Sequence, residues 1–150
     1  MKILIVYATY SSGTHMAADV VSQELQKGGH TVDLKDVSET AIDNFNNYDL
    51  IILGSPSWDI GGQGGQPHEH FVAFMQQNKG KTFPGKKLAV FGLGDSTYPE
   101  FCGAVDHLEK FVDSLQGRRV IDSLRIDGYF FNQDEANGKI AEWVGKLQSY

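Results

Sequence analysis

Ile3-Leu4-Ile5-Val6-Tyr7 is too short for a helix and too apolar to keep a solvent face. An apolar run of that length, rich in β-branched residues, reads as a strand buried on both sides. Parallel sheets covered by helices on both faces provide that environment. The residues that follow agree. Ala8 to His15 is a hydroxyl-rich turn with one glycine, and from Met16 to Leu25 the positions Ala17, Val21 and Leu25 recur at helical spacing. The chain opens as strand, loop, helix.

The same alternation continues. Gly28-Gly29 makes a helix C-cap, and Thr31 to Leu34 forms a second strand. Asp36 to Asn47 is polar and carries no periodic signal. Asp49 to Gly54 is the next buried strand, followed by a long loop to Pro67 and a helical stripe of Phe71, Val72, Phe74 and Met75. Lys86-Lys87 lead into a strand from Leu88 to Gly92, and a loop then runs to Gly103. A helix follows with Val105, Leu108, Val112 and Leu115 inward. Val120 to Ile126 supplies a last strand, interrupted near Ser123. Glu135 to Gln148 closes the chain as a helix with Ile140, Val144 and Leu147 inward and Trp143 as packing. This pattern predicts an α/β fold: a five-stranded parallel doubly wound sheet, order 2-1-3-4-5, with helices on both faces and the ligand at the carboxyl ends of the strands. A chain of 150 residues, 41% apolar, is expected to form one domain over residues 1–150.

Charge and cysteine content narrow the partners. A net charge of −6 argues against nucleic acid and anionic membrane surfaces and favours basic partners. The single cysteine, Cys102, excludes an internal disulfide and suits a reducing cytoplasm. Met1 has no long apolar segment behind it, and no run approaches membrane-spanning length.

Three loops follow strand C-termini and can face one ligand: 8–15, 54–67 and 92–103. In the first, free N–H groups at a helix start meet the hydroxyls of Thr9, Ser11, Ser12 and Thr14. No Lys or Arg lies between Lys2 and Lys27, and Gly13 is followed by Thr14 and His15. A nucleotidase P-loop would need a lysine here, and a dinucleotide turn a Gly-x-Gly-x-x-Gly pattern. A terminal monophosphate among neutral donors fits; so does a turn that merely caps the helix. In the other two loops, Trp58 and Tyr98 stand among small residues without core periodicity. They either wall a flat ring system or cap the core from outside.

Together these stretches resemble the flavodoxin family over the whole length of the chain. Tyr7, Thr9, Thr14 and Ala18 resemble its phosphate signature. Gly92-Leu93-Gly94-Asp95-Ser96-Thr97-Tyr98 through Phe101-Cys102-Gly103-Ala104-Val105-Asp106 resembles the flavin loop of its short-chain members, and Leu124-Arg125-Ile126-Asp127-Gly128 their last strand. Trp58-Asp59-Ile60-Gly61 is similar to the corresponding loop of some long-chain members. Ser12, the position of the loop glycine and the ionisable His15 depart from the family pattern.

The resemblance implies non-covalently bound flavin mononucleotide (FMN). Thr9, Tyr10, Ser11, Ser12, Gly13 and Thr14 would hold its phosphate. Ser55, Pro56, Ser57, Trp58, Asp59 and Gly61 would line one side, and Leu93, Gly94, Asp95, Tyr98, Phe101 and Cys102 the other. Trp58 and Tyr98 would stack on opposite faces of the isoalloxazine, and Asp95 would lie by its pyrimidine edge. The carbonyl of Asp59 would turn towards N5–H when one electron enters. The implied activity is low-potential one-electron transfer between semiquinone and hydroquinone, without catalytic residues or metal, for a monomer whose acidic rim docks on basic patches of a reductase and of acceptors. No Lys or Arg lies between Gly54 and Asn78 or between Leu88 and Glu109, whereas Asp59, Glu69, Asp95, Glu100, Asp106 and Glu109 do. Reduced flavin would then meet like charge without a countercharge, which lowers the second step.

An alternative on the same fold is an FMN-dependent NAD(P)H:quinone oxidoreductase. It needs a nicotinamide pocket above the ring, which Trp58 and Tyr98 would block. A phosphoryl-accepting receiver lacks its acidic pair after the first strand. Several smaller features receive plain readings. His68 and His70, with no third ligand at metal spacing, read as a surface loop. Gly61, Gly62, Gly64 and Gly65 read as a flexible loop beside the ring, Cys102 as a buried small side chain, and Lys79, Lys81, Lys86 and Lys87 as a solvated face far from the flavin.

Overall fold

The apolar run Ile3 to Tyr7 occupies the place that its composition demands, an inner strand of a parallel sheet, in a computed structural model that describes residues 1–148. The elements in chain order are β1 (Lys2–Tyr7), α1 (Gly13–Lys27), β2 (Thr31–Asp36), two 3-10 turns (Val37–Glu39 and Ile42–Asn47), β3 (Leu50–Pro56), β4 (Trp58–Ile60), β5 (Gln63–Gln66), α2 (Glu69–Gln77), β6 (Lys87–Gly94), α3 (Gly103–Ser114), β7 (Arg118–Arg119), β8 (Leu124–Asp127) and α4 (Gln133–Leu147). The main sheet runs β2-β1-β3-β6-β7, with β8 also on β6, and every pairing in it is parallel.

Period-two alternation distributes the core over both faces. Ile3, Ile5, Leu50, Ile52, Ala89 and Phe91 pack with Ala17, Val21 and Leu25 of α1 and Ile140 and Val144 of α4. Leu4, Val6, Ile51, Leu53, Leu88 and Val90 pack on the other face with Phe71 and Phe74 of α2 and Val105, Leu108 and Val112 of α3. Each fully buried aliphatic side chain contributes roughly 1.5–3 kcal/mol. A one-residue slip of β1 would exchange its two faces and is excluded on that account.

The fifth strand is split. In place of one strand from Val120 to Ile126, β7 and β8 both pair with β6, through Lys87↔Arg118 and Phe91↔Leu124. The polar detour between them is held by side chains: Trp143 Nε1 donates to the Asp122 carbonyl at 2.8 Å and Ser123 Oγ to Glu109 at 2.6 Å. Counted as one broken strand, β7 and β8 complete the 2-1-3-4-5 order. The loop 54–67 also differs from expectation, because β4 and β5 pair as an antiparallel hairpin. Its turn needs Gly61 and Gly62, at φ 62° and 80°, since both central residues of such a two-residue turn lie in the left-handed region. The glycines there are the joint of an ordered hairpin rather than a flexible tract. The register also aligns the strand ends: Tyr7 faces Gly54, Pro56 faces Leu93, and Gly94 faces Asp127. Four loops therefore meet at one edge.

Candidate functional site

The loop from β1 to α1 leaves its donors free. Ser12, the residue before α1, takes φ 69° and makes no side-chain cap, and the first turn of α1 contains no acid. The helix dipole and its first N–H groups thus face the loop uncompensated, which suits an anion. Thr9 Oγ1 is buried and has no hydrogen-bond partner, alone in this among the described residues. An orphaned buried hydroxyl costs roughly 1–3 kcal/mol, so a ligand oxygen is the simplest partner for it. Thr14 is buried at the base of the loop, and Ser11 is exposed. His15 lies against Tyr7 with ring centroids 5.0 Å apart. The neutral donors fit a phosphate monoester.

The loop after β3 begins inside the sheet. Ser55 is fully buried; its Oγ donates to the Pro56 carbonyl at 2.8 Å and accepts from His68 N–H at 3.0 Å. Pro56 is buried too. These two support the site from beneath, because β3 extends to Pro56 and keeps both residues inside the sheet. Ser57 donates its N–H to the Leu93 carbonyl at 3.0 Å, and its Oγ accepts from Ala104 N–H at 2.9 Å. The exposed part begins at Trp58, 50% accessible at the start of β4. The hairpin register slips between Trp58 and Ile60, so Asp59 lies where the ladder is irregular. Gly61 stands at the turn with open space around it.

The loop after β6 closes on itself. Asp95 Oδ1 accepts from Thr97 N–H at 2.9 Å and from Thr97 Oγ1 at 2.6 Å, so its carboxylate is engaged within its own turn. Ser96 donates through N–H and Oγ to Asp127 at the end of β8, which holds the Asp127 carboxyl below the usual carboxylate value. Tyr98 is 67% exposed, whereas Phe101 packs on the core and Leu93 is buried. No ring contact joins Trp58 to Tyr98 among the described residues; the two aromatics project separately at one edge. Cys102 is fully buried at φ 52°, with Sγ 3.7 Å from the Gly92 and Ile126 carbonyls. Burial pushes its thiol up to about 12, so it is not a reactive thiolate, and only its backbone remains for a ligand.

Tertiary structure also revises the charge balance. Arg125 of β8 donates to the Cys102 carbonyl at 3.0 Å and pairs with Asp106 at 2.7 Å, while Arg119 pairs with Glu109 at 2.8 Å. Two of the six carboxylates counted from sequence are therefore neutralised by residues distant in the chain. Asp59, Glu69, Asp95 and Glu100 have no cationic partner among the described residues.

Sequence reasoning misses two contributors, His68 and Phe130, and gives Tyr10 only a place in the phosphate loop. His68 is buried, contrary to the surface-loop expectation, because its ring caps α2 and stacks on Tyr10. Tyr10 bridges His68 and Trp58, with centroids at 3.9 Å and 5.3 Å. Phe130, in the fourth loop, covers the start of α1, where a Cβ on Gly13 would stand 3.0 Å from its ring. Only the aromatic run Tyr129-Phe130-Phe131, one glycine beyond β8, marks that loop in the sequence.

The family model for flavodoxin matches residues 5–143. The chain is 38% identical over 129 residues to the probable flavodoxin 2 of Bacillus subtilis strain 168, covering 84% of this chain and 82% of that one. It is 33% identical over 143 residues to the flavodoxin of Maridesulfovibrio salexigens, covering 95% and 93%. Oxidised flavodoxin 2 from Bacillus cereus superposes with a TM-score of 0.88 at 29% identity, covering 99% of each chain. By the extent of these matches and by its fold, the chain belongs to the flavodoxin family, whose members are FMN-binding electron-transfer proteins rather than enzymes.

Proposed function

We propose that this chain, acting as one domain, is a low-potential one-electron carrier that holds FMN at the carboxyl edge of its sheet. The observation that carries the reading is the orphaned Thr9 Oγ1 in a loop of neutral donors at the start of α1. Bound FMN supplies the redox chemistry, taking up and giving back one electron at a time. The residues would do the rest. Thr9 to Thr14 hold the phosphate, and Trp58 and Tyr98 flank the ring and exclude water from it. The backbone around Gly94 and Asp95 meets the pyrimidine edge, while Asp59 offers its carbonyl from the irregular stretch of the hairpin.

The unpaired carboxylates Asp59, Glu69, Asp95 and Glu100 place negative potential around the site. Additional negative charge on the cofactor is thereby disfavoured. The same rim suits basic patches on a reductase and on acceptors, for a monomer working in the cytoplasm. No helix among the described residues is long and apolar enough to cross a membrane.

An anaerobic reductive titration of the reconstituted protein tests this. A long-wavelength band that rises with the first electron equivalent and falls with the second is expected, with no response to NADPH alone. Direct bleaching by NADPH without that band would favour the quinone oxidoreductase instead.

A further inference from the structure

His68 lies where the segments that build the site cross. It directly precedes α2 and is 4% exposed. Its N–H donates to Ser55 Oγ at 3.0 Å, at the end of β3. Its ring stacks on Tyr10 at 3.9 Å with 23° between the planes, and Tyr10 meets Trp58 edge-on. The Tyr10 hydroxyl in turn accepts from Glu69 N–H at 3.2 Å, at the first turn of α2. The ring nitrogens are assigned by their partners. His70 N–H donates to Nδ1 at 3.0 Å, so Nδ1 bears no hydrogen. Nε2 then carries the proton, and the nearby Thr9 main-chain carbonyl favours the protonated ring only weakly against its burial. An imidazolium would direct a hydrogen from Nδ1 at the His70 N–H, two donors face to face.

We propose that His68 is a positioning residue that couples the phosphate loop to Trp58: in its neutral form it clamps Tyr10 to the start of α2, and protonation at Nδ1 opens that clamp. The proposal rests on residues 9–14 being the phosphate site. The charged and titratable groups around the ring are Glu69 and His70 on α2, Asp36 at the end of β2, and Tyr10 from the phosphate loop. Burial first, then His70, favours the neutral ring; Glu69, Asp36 and the Thr9 carbonyl oppose them, and the balance holds His68 below the ordinary histidine value. A native value below the unfolded one means that the clamp is intact above about pH 6.5. It is lost as pH falls from there through the lowered value. Because Tyr10 belongs to one loop and contacts the aromatic of the other, opening loosens both together.

The phosphate of FMN takes up its own second proton near pH ~6, as phosphate monoesters do. The wild type is therefore compared with His68→Asn, whose side-chain oxygen can cap α2 but does not titrate. Dissociation constants for FMN and for riboflavin are measured by flavin fluorescence between about pH 8 and 5. Imidazole nitrogen shifts of His68 and Trp58 emission are followed in the apoprotein, with Trp143 as an invariant core background. Over that range FMN affinity should fall about tenfold further in the wild type than in His68→Asn. Trp58 emission should change with the midpoint of His68 protonation, and only in the wild type. Superimposable FMN profiles, or His68 titrating while Trp58 emission stays constant, would overturn the proposal. Equal affinity for FMN and riboflavin at pH ~8 would overturn the phosphate-site reading and the proposal with it.

Discussion

Ser57 Oγ accepts the Ala104 N–H at 2.9 Å, so α3 is capped from another loop instead of by Cys102, the residue that precedes it. Cys102 stands in the left-handed region with its thiol turned into the core and cannot cap. The residue next to Trp58 thus ties the tryptophan loop to the helix that follows the tyrosine loop. Ser57→Ala should cost about 1 kcal/mol of unfolding free energy, the usual worth of an N-cap, and should also weaken flavin binding by loosening Trp58. Denaturant titration of the apoprotein and flavin fluorescence would report the two effects.

Thr9→Val should separate folding from binding. The substitution removes an unpaired buried hydroxyl at nearly constant shape, so the apoprotein should hold its stability or gain about 1 kcal/mol. FMN affinity should fall by about 1.5–3 kcal/mol, roughly ten- to a hundredfold, while riboflavin affinity stays unchanged. Calorimetry with both ligands would decide it.

Asp127 predicts an acid-sensitive link between β8 and the Tyr98 loop. Its native value is lowered by the two Ser96 donors. The stability it supplies is therefore fully present above the unfolded carboxylate value, about 3.9, and is lost as pH falls through the lowered native value. Wild type should be more stable than Asp127→Asn at neutral pH, and the gap should close under acid. Unfolding midpoints measured between neutrality and pH ~2.5 would show the convergence.

Asp59→Gly addresses the hairpin carbonyl. If that carbonyl must turn towards the cofactor on the first electron, a Cβ-bearing residue opposes the positive φ by about 1 kcal/mol, which glycine removes. The one-electron-reduced level should then be favoured about fivefold, read as a larger long-wavelength band in the reductive titration. An unchanged band would remove Asp59 from the account.

Cys102 should be inert in the folded protein. With its thiol pushed up to about 12 and no exposure, alkylation at pH ~8 should proceed only on unfolding. Mass spectrometry with and without denaturant would measure that contrast.

Local pattern was enough for the sheet order, the helices and the three principal loops. Apolar runs and 3.6-residue stripes are properties of neighbouring residues, and parallel topology follows from their alternation. Trp58, Tyr98 and the Thr9 to Thr14 loop stood out for the same reason: each is conspicuous against its own neighbours. Long-range contacts decided the remainder. Arg125 reaches Asp106 only because β8 lies beside β6, and no count of charges along a loop shows that countercharge. His68 looked like a surface residue because polar rings usually face water; its burial depends on Ser55, Tyr10 and His70 each satisfying or covering part of it. The split of the fifth strand likewise depends on Trp143 and Glu109 holding the detour from other elements. Periodicity and turn chemistry act within a few residues and are written in the sequence, whereas ion pairing and polar burial are properties of surfaces that folding brings together.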